Sequence, residues 1–456
     1  VLTQHSNRIH QPKLSHNRAE LLQHYDVIRR QTQELAEGLS AEDLSAQSMP
    51  DASPGKWHLA HTTWFFETFI LLKHLDGYRE FHAKYNYLFN SYYENVGSRH
   101  ARPQRGLLTR PSLQDVLLYR EYVDAAMRQL IAQAEDNALP LIVIGLHHEM
   151  QHQELFLTDI LHLLSHNPLC PALIPRQRSQ VPSSSFVRQS ASKIPLVEFD
   201  GGLYDMGHSP RASETSSQVW QDFSYDCEQP RHPTYIAPFA IAAQLTTNAQ
   251  WLEFIEDGGY DNPLLWLSDG WAVKQKEQWQ APLYWHQENQ RWWRFALDGY
   301  HEVDMHAPVS HVSFYEADAF ARWAGKRLPR EHEWELAAQS CPVQGNLLES
   351  YAWMPRAVDT AQHESPEVES LATPSSIDQL YGDVWEWTQS AFSPYPGFES
   401  KQGALGEYNG KFMANQFVLK GGSCVSPKQQ LRASYRNFFY PHQRWQFTGV
   451  RLAEDR

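Results

Sequence analysis

Apolar residues recur three and four apart over long stretches of the first third of the chain, as in AELLQHYDVIRRQTQELAEGLS and SLQDVLLYREYVDAAMRQLIAQAED. That period puts them on one face of an α-helix, so these segments read as amphipathic helices. Four are predicted, at about 17–39, 57–75, 112–135 and 139–165, joined by irregular connections at 40–56 and 76–111. Gly38 suits the end of the first helix, and Ser112, just after Pro111, suits the N-cap of the third. Packed together, four such stripes make an antiparallel four-helix bundle.

The pattern then breaks. Residues 167–196 are rich in proline and serine with no sustained period, which marks an interdomain connection. Beyond them the strands look short and glycine-bearing turns are frequent, as in DGGLYDMGHS and KGGSCVSP, and 14 of the 16 tryptophans lie after position 200. Helices are expected near 247–259 and 313–326, with another at EHEWELAAQ close behind. The division is therefore a helical bundle over 1–166, a linker over 167–196 and an irregular α+β domain over 197–456. No repeat of solenoid period is present.

Composition narrows the function. A chain of 456 residues with 42% hydrophobic and 13% aromatic content has ample core for two or three domains. No apolar run approaches the roughly 18 residues of a membrane span, so no membrane association is expected. With 39 Lys and Arg against 53 Asp and Glu, the formal net charge of -14 argues against nucleic acid as a partner. The first residues lack the apolar segment of a secretory signal, and four scattered cysteines make no disulfide framework, so the expected setting is cytoplasmic. Oligomeric state is not legible. The 23 histidines point to metal or proton chemistry.

The fourth helix contains HHEMQHQE, in which His148 and His152 are four residues apart and share one helix face. A third histidine comes from the second helix, KWHLAHTTWFFETF, where either His58 or His61 is available. His61 shares its stripe with Trp57, Trp64 and Phe65 and should face the core, whereas His58 belongs to a neighbouring direction and His147 lies about 100° from His148. Three neutral imidazoles leave coordination positions open, a catalytic rather than a structural pattern. Glu154, two residues after His152, is expected either to support the site from behind or to be exposed.

The segments HLAHTTWFFE, LFNSYYENVG, HHEMQHQE, GKRLPREHEWELAAQ, GDVWEWT, KGGS and YRNFFYPHQRWQFTGVRLA, covering essentially the whole chain, resemble those of the ergothioneine-type sulfoxide synthases. The resemblance implies a DinB-like four-helix bundle followed by a domain of the formylglycine-generating-enzyme type, a C-type-lectin-like fold. It implies ferrous iron, Fe(2+), on His61, His148 and His152. The implied reaction joins a thiol sulfur to the imidazole carbon between the two ring nitrogens of hercynine, with dioxygen as oxidant and a sulfoxide as product.

In the cysteine-using branch of that family, the tyrosine that steers the outcome away from plain thiol dioxygenation maps to the pair Tyr92 and Tyr93. The γ-glutamylcysteine users instead place a tyrosine where Leu405 stands here, and carry an Asp and an Arg where Phe439 and Gln443 stand. Both departures favour L-cysteine. Hercynine is expected to meet Gln151, Asn437, Phe438, Phe439 and Tyr408, aromatic rings suiting its quaternary ammonium. The thiol's carboxylate is expected at Arg102 and Arg105.

Several rivals remain. A selenium-handling relative that joins a selenosugar to hercynine would share these motifs. A γ-glutamylcysteine or ovothiol-type synthase is a further alternative, although no methyltransferase signature follows. Formylglycine-generating oxidases need paired cysteines, and Cys424 has no neighbour in sequence. From another class, the chain would be a lectin-like binding protein stabilised by a metal.

Overall fold

A computed structural model describes residues 14–133, 138–174, 194–209, 220, 223–358, 377–400 and 409–456. The four predicted helices are present as α1 (Leu14–Glu34), α2 (Gly55–Phe66), α3 (Leu113–Gln133) and α4 (Leu139–Ser165). α2 runs on through a π-helical turn, Glu67–Leu71, into Leu72–His74. It packs against both α3 and α4, and α1 packs against the same two helices. Every residue of α2 is buried, because aromatic and small residues surround the histidines on all sides.

A buried charge network locks this arrangement. Arg29 on α1 donates to Asp124 at 2.7 Å, to Glu149 at 2.8 Å and to Thr63 at 3.0 Å, and Arg120 on α3 donates to Glu149 at 3.0 Å. Two guanidinium groups face two carboxylates, so the charges within this network compensate one another in the low-dielectric core. Glu149 directly follows His148, and Thr63 lies two residues after His61, so the network sets the rotation of the two helices that carry the histidines.

The second half is β-rich with embedded helices. Its strands are β1 (Leu196–Phe199), β2 (Gly202–Met206), β3 (His232–Ile236), β4 (Phe239–Ala242), β5 (Trp285–Glu288), β6 (Arg291–Ala296), β7 (Gly299–Glu302), β8 (Gly345–Asn346), β9 (Tyr381–Gly382), β10 (Trp385–Ala391), β11 (Phe417–Lys420), β12 (Asn437–Phe439), β13 (Thr448–Gly449) and β14 (Ala453–Asp455). The sheet that matters for function has the order β12-β11-β10-β13, with β10 antiparallel to β11 and parallel to β13. A second sheet, β1-β4-β14, brings the start and end of this half together.

The expected helices appear as α5 (Asn248–Glu256), α7 (Phe314–Trp323) and α8 (Glu331–Ala338). Between them lies α6 (Ser268–Glu277), which sequence reading did not find because its many polar residues dilute any apolar period. Thr247 and Ser313 close capping boxes with Gln250 and Glu316 at the starts of α5 and α7. Most of the 167–196 connection lies outside the described residues; where it is described, the N–H groups of Leu173 and Ile174 both donate to the Leu297 carbonyl at 2.8 and 3.1 Å.

Candidate metal centre and cavity

α2 contributes His61, and α4 contributes His148 and His152. Their ligand atoms all lie within 4.8 Å of one another and all three side chains are buried. The Nε2 atoms of His61 and His148 approach to 3.2 Å. His61 Nδ1 faces the Phe89 carbonyl, which can only accept, so Nδ1 carries the proton and the Nε2 lone pair points to the cluster. Burial, followed by the neighbouring imidazoles, pushes His61 and His152 well below the ordinary histidine range, and burial takes His148 down to about 3. The group therefore presents neutral nitrogen donors, the form in which imidazole binds a metal. Three such donors fit a divalent transition ion that keeps further positions open.

His58 does point in another direction from His61, yet it is not remote from the cluster. Its Nδ1 lies 2.8 Å from His152 Nδ1, and its Nε2 lies 3.0 Å from Asp159 Oδ2. Sequence reasoning missed Asp159, although a signal was available: it follows His152 by seven residues and so shares its helical stripe. His147 behaves as a packing residue, its ring stacked on Phe223 at 3.8 Å with an interplanar angle of 11°.

A cavity of about 740 Å³ opens beside the cluster, lined by His148 and His152 from the bundle and by Tyr435, Asn437, Phe438 and Phe439 from the β-rich half. Gln151 reaches across, donating from Nε2 to the Tyr435 hydroxyl at 3.0 Å. Asn437, Phe438 and Phe439 form β12, with Phe438 stacked on Phe392 at 4.1 Å. Tyr408 and Leu405 lie outside the described residues.

The two tyrosines differ. Tyr92 lines the cavity, whereas Tyr93 is fully buried and packs against Trp64 and Phe69 at 5.7 and 5.1 Å. Their rings stack at 4.6 Å and their hydroxyl groups are 3.5 Å apart. Lys411 of the β-rich half lies 4.9 Å from the Tyr92 ring centroid and donates to the Tyr92 carbonyl at 2.5 Å.

Arg102 and Arg105 also separate. Arg102 is exposed at the rim, while Arg105 is buried with its guanidinium 3.4 Å from the centroid of the Trp57 ring and one Nη donating to Ser53 Oγ at 2.8 Å. Burial first, then the neighbouring Arg102, holds Arg105 well below the usual guanidinium range. Among the described residues its guanidinium is in no ion pair, although the Asp159 charge opposes part of the effect of burial.

Glu154 corrects the sequence reading, in which exposure was one option. It is buried, accepts from Ser426 Oγ at 2.5 Å and from Trp385 Nε1, and burial pushes its carboxyl up to about 7. Both donors belong to the β-rich half, so Glu154 is an anchor between the two halves.

Comparison with known proteins agrees with this architecture. Residues 24–166 match the DinB superfamily, and residues 184–456 match the sulfatase-modifying factor enzyme 1-like domain. The hercynine oxygenase of Mycolicibacterium smegmatis is 33% identical over 447 residues, which is 94% of this chain and 97% of that protein. The chain belongs to the hercynine oxygenase family. A second hercynine oxygenase, from Mycolicibacterium thermoresistibile, is 31% identical over 461 residues, 96% of this chain and 95% of that one. The formylglycine-generating enzyme of Mycobacterium tuberculosis is 28% identical over 240 residues, 44% of this chain and 75% of its own. As a family member the chain is an oxidoreductase, a DinB-like bundle joined to a β-rich domain of the formylglycine-generating type. All four cysteines are free, and Cys424 is buried.

Proposed function

We propose that this chain couples L-cysteine to hercynine with dioxygen, giving hercynylcysteine sulfoxide, with Fe(2+) on His61, His148 and His152. The observation that carries the reading is the buried three-histidine cluster opening on a cavity shared by both halves, in a chain of this family. The reading keeps residues 1–166 as the metal-holding bundle, 167–196 as the connection and 197–456 as the domain that closes the substrate cavity. The overall balance is complete: one oxygen atom enters the sulfoxide, and the other leaves as water with the hydrogens of the thiol and of the imidazole carbon.

Ferrous iron held by the three histidines would activate dioxygen, with the net electrons drawn from the thiol and the imidazole. The protein's own side chains decide what it meets. Gln151 and Asn437 offer hydrogen bonds to hercynine, and the Phe438 and Phe439 rings offer faces to its trimethylammonium group. Arg105, with Arg102 at the rim, offers charge to the carboxylate of cysteine, and Trp57 beneath it keeps water from that side. Tyr92 and Tyr93 hold a hydroxyl pair at the cavity wall that can deliver a proton or hydrogen atom.

The test is anaerobic reconstitution with ferrous iron followed by air, with hercynine and either cysteine, γ-glutamylcysteine or a selenosugar, and products read by mass spectrometry. Hercynylcysteine sulfoxide is expected from the first mixture. Product only from the second or third donor moves the function to that donor. No dioxygen consumption with any of them favours a binding protein instead.

A further inference from the structure

Two polar side chains beside the cluster have no part in the reading above. His58 is 3% exposed and Asp159 is 6% exposed, and together they form an unbroken line to His152. The Asp159 carboxylate accepts the Ser53 backbone N–H at 2.8 Å on the same Oδ2 that faces His58. An ionised carboxylate only accepts, so His58 Nε2 must carry a proton. With that single ring proton on Nε2, His58 has an unprotonated Nδ1. The 2.8 Å contact between the two Nδ1 atoms requires one donor, and that donor is therefore His152. His152 is left with an unprotonated Nε2.

We infer that Asp159 and His58 are positioning residues that select the metal-binding tautomer of His152 and hold its ring in the ligating orientation. The line runs carboxylate, imidazole, imidazole, metal position, one link longer than the common carboxylate–histidine arrangement. It also explains a burial that would otherwise be costly, since a carboxylate taken out of water needs donors, and Ser53 and His58 supply them. The same Ser53 accepts from Arg105, which stacks on Trp57, and Trp57 stacks on His61 at 4.5 Å with an interplanar angle of 10°. The supports of His152 and of His61 thus meet at Ser53 and Arg105.

The inference rests on His61, His148 and His152 being the metal ligands, and the experiment separates the two. Cobalt(II) is titrated alone into the metal-free protein, reading affinity and the visible absorption bands, with the melting temperature of the metal-free protein measured in parallel. His58→Leu should bind cobalt about 10–100-fold more weakly with altered bands. His58→Gln, whose amide can donate to Asp159 and accept from His152, should recover affinity to within a few fold and restore the bands. If His58→Leu does not fold, Asp159→Asn carries the test: its amide keeps an acceptor without the charge, and a several-fold loss with little change in melting temperature is expected. Unchanged cobalt affinity and bands in whichever of these two variants carries the test, or equal loss in His58→Leu and His58→Gln, would overturn the relay. Failure of the wild-type protein to bind cobalt would instead overturn the ligand assignment.

Discussion

Glu154, two residues beyond His152 on α4, accepts a hydrogen bond from Ser426 across the boundary between the bundle and the β-rich half, at 2.5 Å. The helix that carries two of the three histidines therefore also carries the joint. Trp385 donates to the other carboxylate oxygen, so both oxygens are used by the same neighbouring domain. Replacing Glu154 by Ala strands two buried donors and leaves a void. A destabilisation of about 3 kcal/mol is expected, read as a lowered urea midpoint. A wild-type midpoint would mean that the joint is held elsewhere.

The three histidines should be separable from their neighbours by metal content. His61→Ala, His148→Ala and His152→Ala are each expected to lose most of the bound iron after anaerobic loading, measured by elemental analysis. His147→Ala should retain it while losing stability, because His147 stacks on Phe223 rather than facing the cluster. Full iron content in any of the first three would remove that residue from the ligand set. His58 is no neutral control, given its contact with His152.

Tyr92 and Tyr93 are distinguished by burial. Changing both to Phe should leave iron and substrate binding intact while diverting product toward cysteine sulfinic acid. The single change Tyr92→Phe should account for most of the diversion, since Tyr92 lines the cavity and Tyr93 is packed behind it. Product ratios by mass spectrometry decide this. An undiminished sulfoxide yield in the double variant would end the proposed role for both.

Acid sensitivity should arise partly far from the metal centre. His311 is buried between Tyr284 and Phe447, at 4.9 and 4.6 Å, and burial takes its imidazole from 6.5 down to about 3. Below pH 6.5 the unfolded chain takes up a proton that the native state refuses. The stability tied to this group is thus present above 6.5 and is lost as pH falls toward 3. Between pH 7.5 and 5 the loss from this one residue is about 2 kcal/mol. His311→Phe should shrink the difference between urea midpoints at those two pH values; an unchanged difference would assign the acid sensitivity to other histidines.

Much of this protein is legible without coordinates. The spacing of apolar residues determines the four helices, because a helix displays its own period whatever it packs against. The same local geometry places His148 and His152 on one face and turns His61 toward the core. What lies between helices is not written in that period. That His58 caps His152, that Asp159 orders His58, that Arg105 is buried on Trp57 while Arg102 stays in solvent, and that Glu154 joins the halves all depend on contacts between residues about fifty to nearly three hundred positions apart. Such contacts exist only once the chain has closed, when the loss of water around each buried polar group forces it to find a partner. The sequence determines which side chains a helix face offers, and the tertiary structure decides which of them meet.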